Sequence, residues 1–322
     1  MPVARTLTVA LCLAAVLAAA SARAAEDLQR WVERALAPSA ADYHGTVVLQ
    51  IGDKMQTLRV THLLADGKPL EWVEVLEGAP RETIRIGDEV RCFLPEDRVV
   101  LIDRAAGAAG LSYHPVGSVG RIESSYRLES LGMDRVAGRE VFGVRFVPRD
   151  ALRFGQDWWI DRESAVVLKR VVWEETPARA LETQTFSDFH LGAATQTAVV
   201  RQKFSSRSEW RHVDLRGKSV GASETGWEFG ALPSGFQLEG ILQRRGPSGK
   251  TVTQWLIGDG LVTVSVFFEP WEGTETSEQV ERFGATTVVR RQDQGALRTA
   301  MGEVPSATLQ ALLAAMTRKG GS

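Results

Sequence analysis

Cysteine is almost absent from this 322-residue chain, with Cys12 and Cys92 its two examples. Cys12 lies in an apolar N-terminal stretch that reads as removable, which leaves Cys92 as a single thiol and excludes an intramolecular disulfide. The sequence VRCFLP around Cys92 reads as a small core hydrophobe rather than a reactive thiol. Histidine is scarce as well: His44, His62, His114, His190 and His212 lie far apart, and none has a second His or Cys at metal-ligand spacing, so no metal or other cofactor is expected. Charge of either sign is not in excess. The 38 Lys and Arg against 40 Asp and Glu give a net charge of -2, which offers no general footing for nucleic acid. Beyond the N-terminus no uninterrupted apolar run approaches the roughly 18 residues of a membrane span.

Sequence signatures of catalysis are missing too. GPSGKT at Gly246 ends like a phosphate-binding loop, but Arg244 stands where the first glycine is needed, and the segment joins two strands. Gly117-Ser118-Val119-Gly120 has the wrong spacing for a nucleophile elbow. Asp157 and Asp161 flank a tryptophan pair, yet Asp161 begins a turn, where its side chain serves local hydrogen bonds. The chain reads as a binding protein and not an enzyme.

What is present begins with an export signal. Arg5 provides a positive start, Thr6 to Ala20 an apolar stretch, and Ala22-Arg23-Ala24 a small-x-small cleavage site, so residues 1–24 are read as a signal peptide. A composition of 44% hydrophobic and 24% charged residues over the remaining length suits two globular domains. Leu28, Trp31, Val32, Ala35 and Leu36 form one helical stripe. From Tyr43 the pattern changes to hairpin after hairpin, YHGTVVLQI, KMQTLRVTHLL, LEWVEV, ETIRI, EVRCFLP and RVVLID, without the intervening helices of a parallel sheet. A Gly- and Ala-rich loop from Ala105 precedes further strands, YRLESLGMDRV, EVFGVRFVP, DWWID, AVVLKRVVW and ETQTFSDFHL. The predicted fold is mainly β (α+β): a curved antiparallel sheet with helices on its concave side over residues 25–201, a charged linker over 202–219, and a small α+β domain over 220–320. The last of these ends in a helix with Leu309, Leu312, Leu313 and Met316 on its buried face.

The stretch DWWID sends Trp158 and Trp159 to opposite faces of one strand. Two readings stay open. Either both faces pack on protein, or part of the concave face is an apolar cavity for a ligand.

Several ordered blocks bear on that choice: VLEGAPRETIRIGDEVRCFLPEDRVVLID, GMDRVAGREVFGVRFVPRDALRFGQDWWIDRESAVVLK, LPSGF, IGDGLVTVSVFFEP and GEVPSATLQALLAAM. Together they resemble the RseB/MucB family of periplasmic regulators of the envelope-stress sigma factor, over essentially the whole mature chain. The chain departs from the family pattern at Gln156, where an aromatic residue is usual after RFG, and in WWID itself. The resemblance implies an N-terminal half-barrel like that of lipoprotein carriers. It also implies a soluble periplasmic protein that binds the periplasmic domain of a single-pass transmembrane anti-sigma factor and shields it from site-1 proteolysis, with a lipid or lipopolysaccharide fragment as the relieving effector. On that reading Trp72, Phe93, Trp158, Ile160 and Leu168 line a lipid cavity, and Arg81, Arg85 and Lys169 meet an anionic headgroup. Trp255, Phe268 and Trp271, on and around the hairpin from Gly258 to Trp271, are the partner anchors. The competing reading is a periplasmic lipid or lipoprotein carrier, which the N-terminal half alone fits. Self-association into a homo-oligomer is left open.

Overall fold

The computed structural model describes residues 27–37, 39–104, 117–174, 179–246, 249–273, 276–293 and 295–318. The N-terminal leader, most of the loop from Ala105, and His114 lie outside the described residues. Helix α1 (27–36) is followed by β1 (Tyr43–Ile51), β2 (Lys54–Ala65), β3 (Lys68–Val75), β4 (Glu82–Ile86), β5 (Glu89–Leu94) and β6 (Val99–Arg104). Helix α2 (Val119–Ser125) then leads into β7 (Tyr126–Val136), β8 (Arg139–Pro148), β9 (Gly155–Asp161), β10 (Val167–Trp173) and β11 (Ala180–Leu191). Helix α3 (Thr197–Phe204) and β12 (Arg211–Asp214) complete the first domain.

The twelve strands make one open, curved sheet in the order β12-β6-β5-β4-β3-β2-β1-β11-β10-β9-β8-β7. Within β1 to β6 and within β7 to β11 consecutive strands are neighbours, and β11 pairs with β1, which places the two strand runs side by side with β7 at one edge of the sheet and β12, beyond β6, at the other. Pairing is antiparallel throughout except for β12 on β6. The stretch expected as a plain linker is therefore folded onto the first domain. Phe204 and Trp210 pack against the core under α3, and Arg207 lies over the rings of Phe93 and Trp210, at 5.0 and 4.9 Å. A segment whose apolar residues are few and covered by guanidinium groups has no periodicity to reveal it.

Cross-strand register assigns the two faces. Trp158, Arg170, Gln184, Leu49 and Gln56 stand in one row across β9, β10, β11, β1 and β2. A parallel row on the same face runs through Val60, Val73, Thr83, Cys92 and Leu101. This is the concave face. Over β7 to β9 it is closed by α1 and α2, whose Val32 and Ile122 join Val144, Phe146, Trp158 and Ile160 in one core. Trp31 stacks on Phe142 at 5.0 Å, and Gln29 of α1 donates to Glu123 of α2 at 2.8 Å. On the convex face α3 covers β3 and β4, above Leu70, Ile84, Phe93 and Val100.

The second domain starts with β13 (Lys218–Ser219) and β14 (Trp227–Phe229). It continues through β15 (Gln237–Arg245), β16 (Thr251–Gly258), β17 (Thr263–Pro270), β18 (Ser277–Phe283), β19 (Thr286–Asp293) and β20 (Ala296–Gly302) to α4 (Ser306–Ala315) and β21 (Met316–Arg318). Seven strands form a sheet in the order β13-β15-β16-β17-β20-β19-β18, while β14 pairs with β21. Leu309, Leu312 and Leu313 of α4 bury against Trp255, Ile257, Val264 and Val289. Met316 belongs to the same core but stands in β21 rather than on the helix, since pairing of β21 with β14 ends the helical turn.

Candidate functional site

Where α1 and α2 stop, the concave face is left open over β1 to β6 as a groove of about 440 Å³. Leu49, Leu58, Val73, Val75, Val90 and Leu101 form its apolar wall, with Cys92 and Thr83 between them. Arg81, ahead of β4, and Asp103 of β6 line the groove on one side in the strand order, and Arg170 of β10 and Glu182 of β11, together with Glu303 of the second domain, on the other. Burial pushes the Glu182 carboxyl above its ordinary pKa, and the neighbouring charge of Glu303 adds to this against the opposing pull of Arg170.

The expected cavity residues are placed elsewhere. Trp158 and Ile160 face the concave side but are sealed beneath the helices, in the core of Val32, Ile122 and Phe146. Trp72 and Phe93 stand on the convex face, by the alternation of β3 and β5, where Trp72 lies beneath the ammonium of Lys203 at 4.3 Å. Leu168 is buried with Val47, Val60 and Phe186 beside the groove without lining it. Alternation identifies the two sets of residues but not which part of a face the helices cover. Trp159 belongs to the convex row of Gly143 and Lys169, and the Lys169 ammonium lies 4.4 Å from its ring, so Lys169 serves this tryptophan and not the groove. Arg85 is turned to Glu71, at 3.6 Å, and to the carbonyl of Gly87, at 2.9 Å. Of the three expected headgroup cations, Arg81 alone lines the groove.

The expected anchors of the second domain are likewise interior. Trp255 is buried against Phe229, and Phe268 against Trp227, with rings 4.2 Å apart in the second pair. Trp271 is half-buried and folds over Gly273. The exposed large apolar side chains of this domain are Leu238, Val280, Phe283 and Met301, of which Val280 and Phe283 lie on the edge strand β18.

Three of the blocks singled out from the sequence meet at the contact between the domains. Arg153 and Asp259 form an ion pair at 2.7 Å with both side chains 0% exposed. The second Asp259 oxygen accepts the backbone N–H groups of Leu261 and Val262, each at 2.9 Å, and Tyr126 donates its hydroxyl to the pair at 3.1 Å. Arg153 also donates to the Ser234 carbonyl at 2.5 Å, and Arg121 to the Gly258 carbonyl. RFG, LPSGF and IGDG thus form one junction. Gly155 is required there because the Trp173 indole occupies the space of a β-carbon, and Gly117 and Gly260 let the two backbones touch. Charged residues flanked by glycine and apolar residues were the available signal for this junction, but their pairing is a tertiary fact.

Two family models match this arrangement in order, the MucB/RseB N-terminal domain over residues 27–204 and the MucB/RseB C-terminal domain over 221–317. The chain belongs to the MucB/RseB family. It is 30% identical over 315 residues to the sigma factor AlgU regulatory protein MucB of Pseudomonas aeruginosa, covering 95% of each chain. With the sigma-E factor regulatory protein RseB of Haemophilus influenzae it shares 22% identity over 313 residues, again 95% of each. Its structure is similar to MucB in the solved Pseudomonas aeruginosa MucA/MucB complex, with a TM-score of 0.71, 27% identity, and coverage of 92% of this chain and 100% of that one. Among the described residues no cluster of His, Cys, Asp or Glu suits a metal ion, and no helix is long and apolar enough to cross a membrane. The MucB/RseB chain here thus presents two features for binding: a charged-ended groove and a second domain locked against it.

Proposed function

We propose that this chain is a periplasmic regulator of the envelope-stress sigma factor. It binds the periplasmic part of a single-pass transmembrane anti-sigma factor, shields that segment from site-1 proteolysis, and lets it go when a lipid or lipopolysaccharide fragment is present. The observation that carries the reading is the match of both domains, in order and at full length, to regulators of sigma factors, one of which is solved in complex with MucA(peri).

The groove's apolar wall also favours a lipid or lipoprotein carrier. The buried Arg153–Asp259 pair weighs against it, because a carrier has no need of a second domain fastened through desolvated charge. Affinity capture from an envelope extract with the immobilised mature protein separates the two. Recovery of a membrane protein with one span and an anti-sigma cytoplasmic domain supports the regulator; recovery of acylated lipoproteins in its place supports the carrier and ends the regulatory reading.

A further inference from the structure

One end of the groove is made of charge shared between the domains. The Arg170 side chain, 6% exposed, donates its Nε–H to Gln156 Oε1 at 3.0 Å. The same oxygen accepts the Trp158 indole N–H at 3.0 Å, so the guanidinium is held from behind by buried residues of β9. Gln156 is itself fully buried, so this support lies behind the groove and does not line it. In front, Arg170 donates from both terminal nitrogens to the carboxylate of Glu303, one contact measuring 3.3 Å. Glu303 is 26% exposed and follows β20, two residues before Pro305, the N-cap of α4. Glu182 is the other carboxylate here, and burial already disfavours its charged form.

A fixed fork-shaped cation therefore faces an anion carried by a loop of the other domain that reaches water. An incoming carboxylate or phosphate can replace Glu303 without leaving Arg170 unpaired, because the bidentate geometry suits either group. An incoming cation has no such exchange open to it, since Glu303 is already bound to Arg170 and burial disfavours the charged form of Glu182. The groove volume of about 440 Å³ lies in the lower half of the roughly 300–1,000 Å³ common for ligand pockets and suits one slender apolar body.

We infer that this end of the groove is an anion-exchange site: an amphiphile with an anionic head seats that head on Arg170 in place of Glu303, its apolar part lying along Leu49, Leu58, Val73 and Leu101. The inference rests on the proposed reading in which a lipid relieves the regulator. It supplies the step by which occupancy of the first domain is felt in the second, namely loss of the Arg170–Glu303 tie ahead of α4.

The test uses the full mature chain with dodecyl phosphate, dodecyl maltoside and dodecyltrimethylammonium, each below its micelle-forming concentration. Occupancy is read as slowed alkylation of Cys92, which lines the groove. Dodecyl phosphate is expected to protect at about tenfold lower concentration than the other two, the worth of one charge-assisted contact. Glu303→Gln, at a part-exposed position that leaves the core intact, removes the internal competitor and tightens dodecyl phosphate several-fold while leaving dodecyl maltoside unchanged. Arg170→Met abolishes the preference. Equal protection by all three probes, preference for the cation, or weaker dodecyl phosphate binding in Glu303→Gln overturns the inference. If the probes behave as expected but the partner stays bound, the site stands and the lipid-relief reading falls. If partner is released with Cys92 unprotected, the reverse holds.

Discussion

Asp259→Asn tests the junction between the domains with the smallest change of shape. The Asp259 carboxylate is 0% exposed and accepts from Arg153, Tyr126 and the backbone of Leu261 and Val262. In the variant the amide oxygen keeps the two backbone bonds, which turns the amide NH₂ toward the Arg153 Nε–H, donor against donor. Tyr126 can rotate its hydroxyl to accept, so its loss is small. Arg153 keeps Asp150, at 2.6 Å, as its remaining anion. Breaking one partner of a buried pair costs about 3–5 kcal/mol, and the surviving Asp150 contact sets the expectation near the lower end, about 3 kcal/mol. Urea unfolding followed by tryptophan fluorescence measures it as a lowered midpoint. Arg153→Met combined with Asp259→Asn should recover part of the loss, because the uncompensated charge is then gone. A loss below about 1 kcal/mol for Asp259→Asn, in the range of an exposed pair, would refute the argument that desolvated charge fastens the domains.

Other expectations concern the sheet and its groove. The raised pKa of Glu182 means that the folded chain holds a proton the unfolded chain has released, so stability falls as pH rises from the ordinary 4.5 through the folded value. Glu182→Gln should therefore stabilise the protein at pH 7 and have little effect at pH 4, and thermal melts at the two pH values check the sign. Trp158→Ala should cost about 3–5 kcal/mol by opening a cavity in the sealed core. Trp159→Ala, on the part-exposed convex side, should lose less, about 2 kcal/mol, from its partial packing on the core of Val141 and Leu168 together with the contact with Lys169. Denaturant midpoints of the two variants in parallel decide whether the faces are correctly assigned.

Much of the fold was legible because strand and helix periods announce themselves. Tyr43–Ile51 and Lys54–Ala65 follow their alternation and the glycine turn between them. Leu309, Leu312 and Leu313 follow the helical one. Helix α3 and β12 were hidden because Val200, Phe204 and Trp210 are too few to make a recognisable stripe, and the ammonium of Lys203 and guanidinium of Arg207 cover Trp72, Phe93 and Trp210. The groove was legible only as a face. Which residues of that face stay open depends on where α1 and α2 end, and that is set by packing of Trp31 and Ile122 on strands more than a hundred residues from Trp31. Aromatic size led to Trp255 and Phe268 as anchors, whereas large rings in short β-domains are first of all core material.

The regulatory account stands or falls on protection of the partner. Cleavage of the anti-sigma factor's periplasmic segment by its site-1 protease should be measured with and without a saturating amount of this protein. The account predicts a markedly slower cleavage in its presence, restored when the protein is withdrawn by competition; equal rates under both conditions would contradict it.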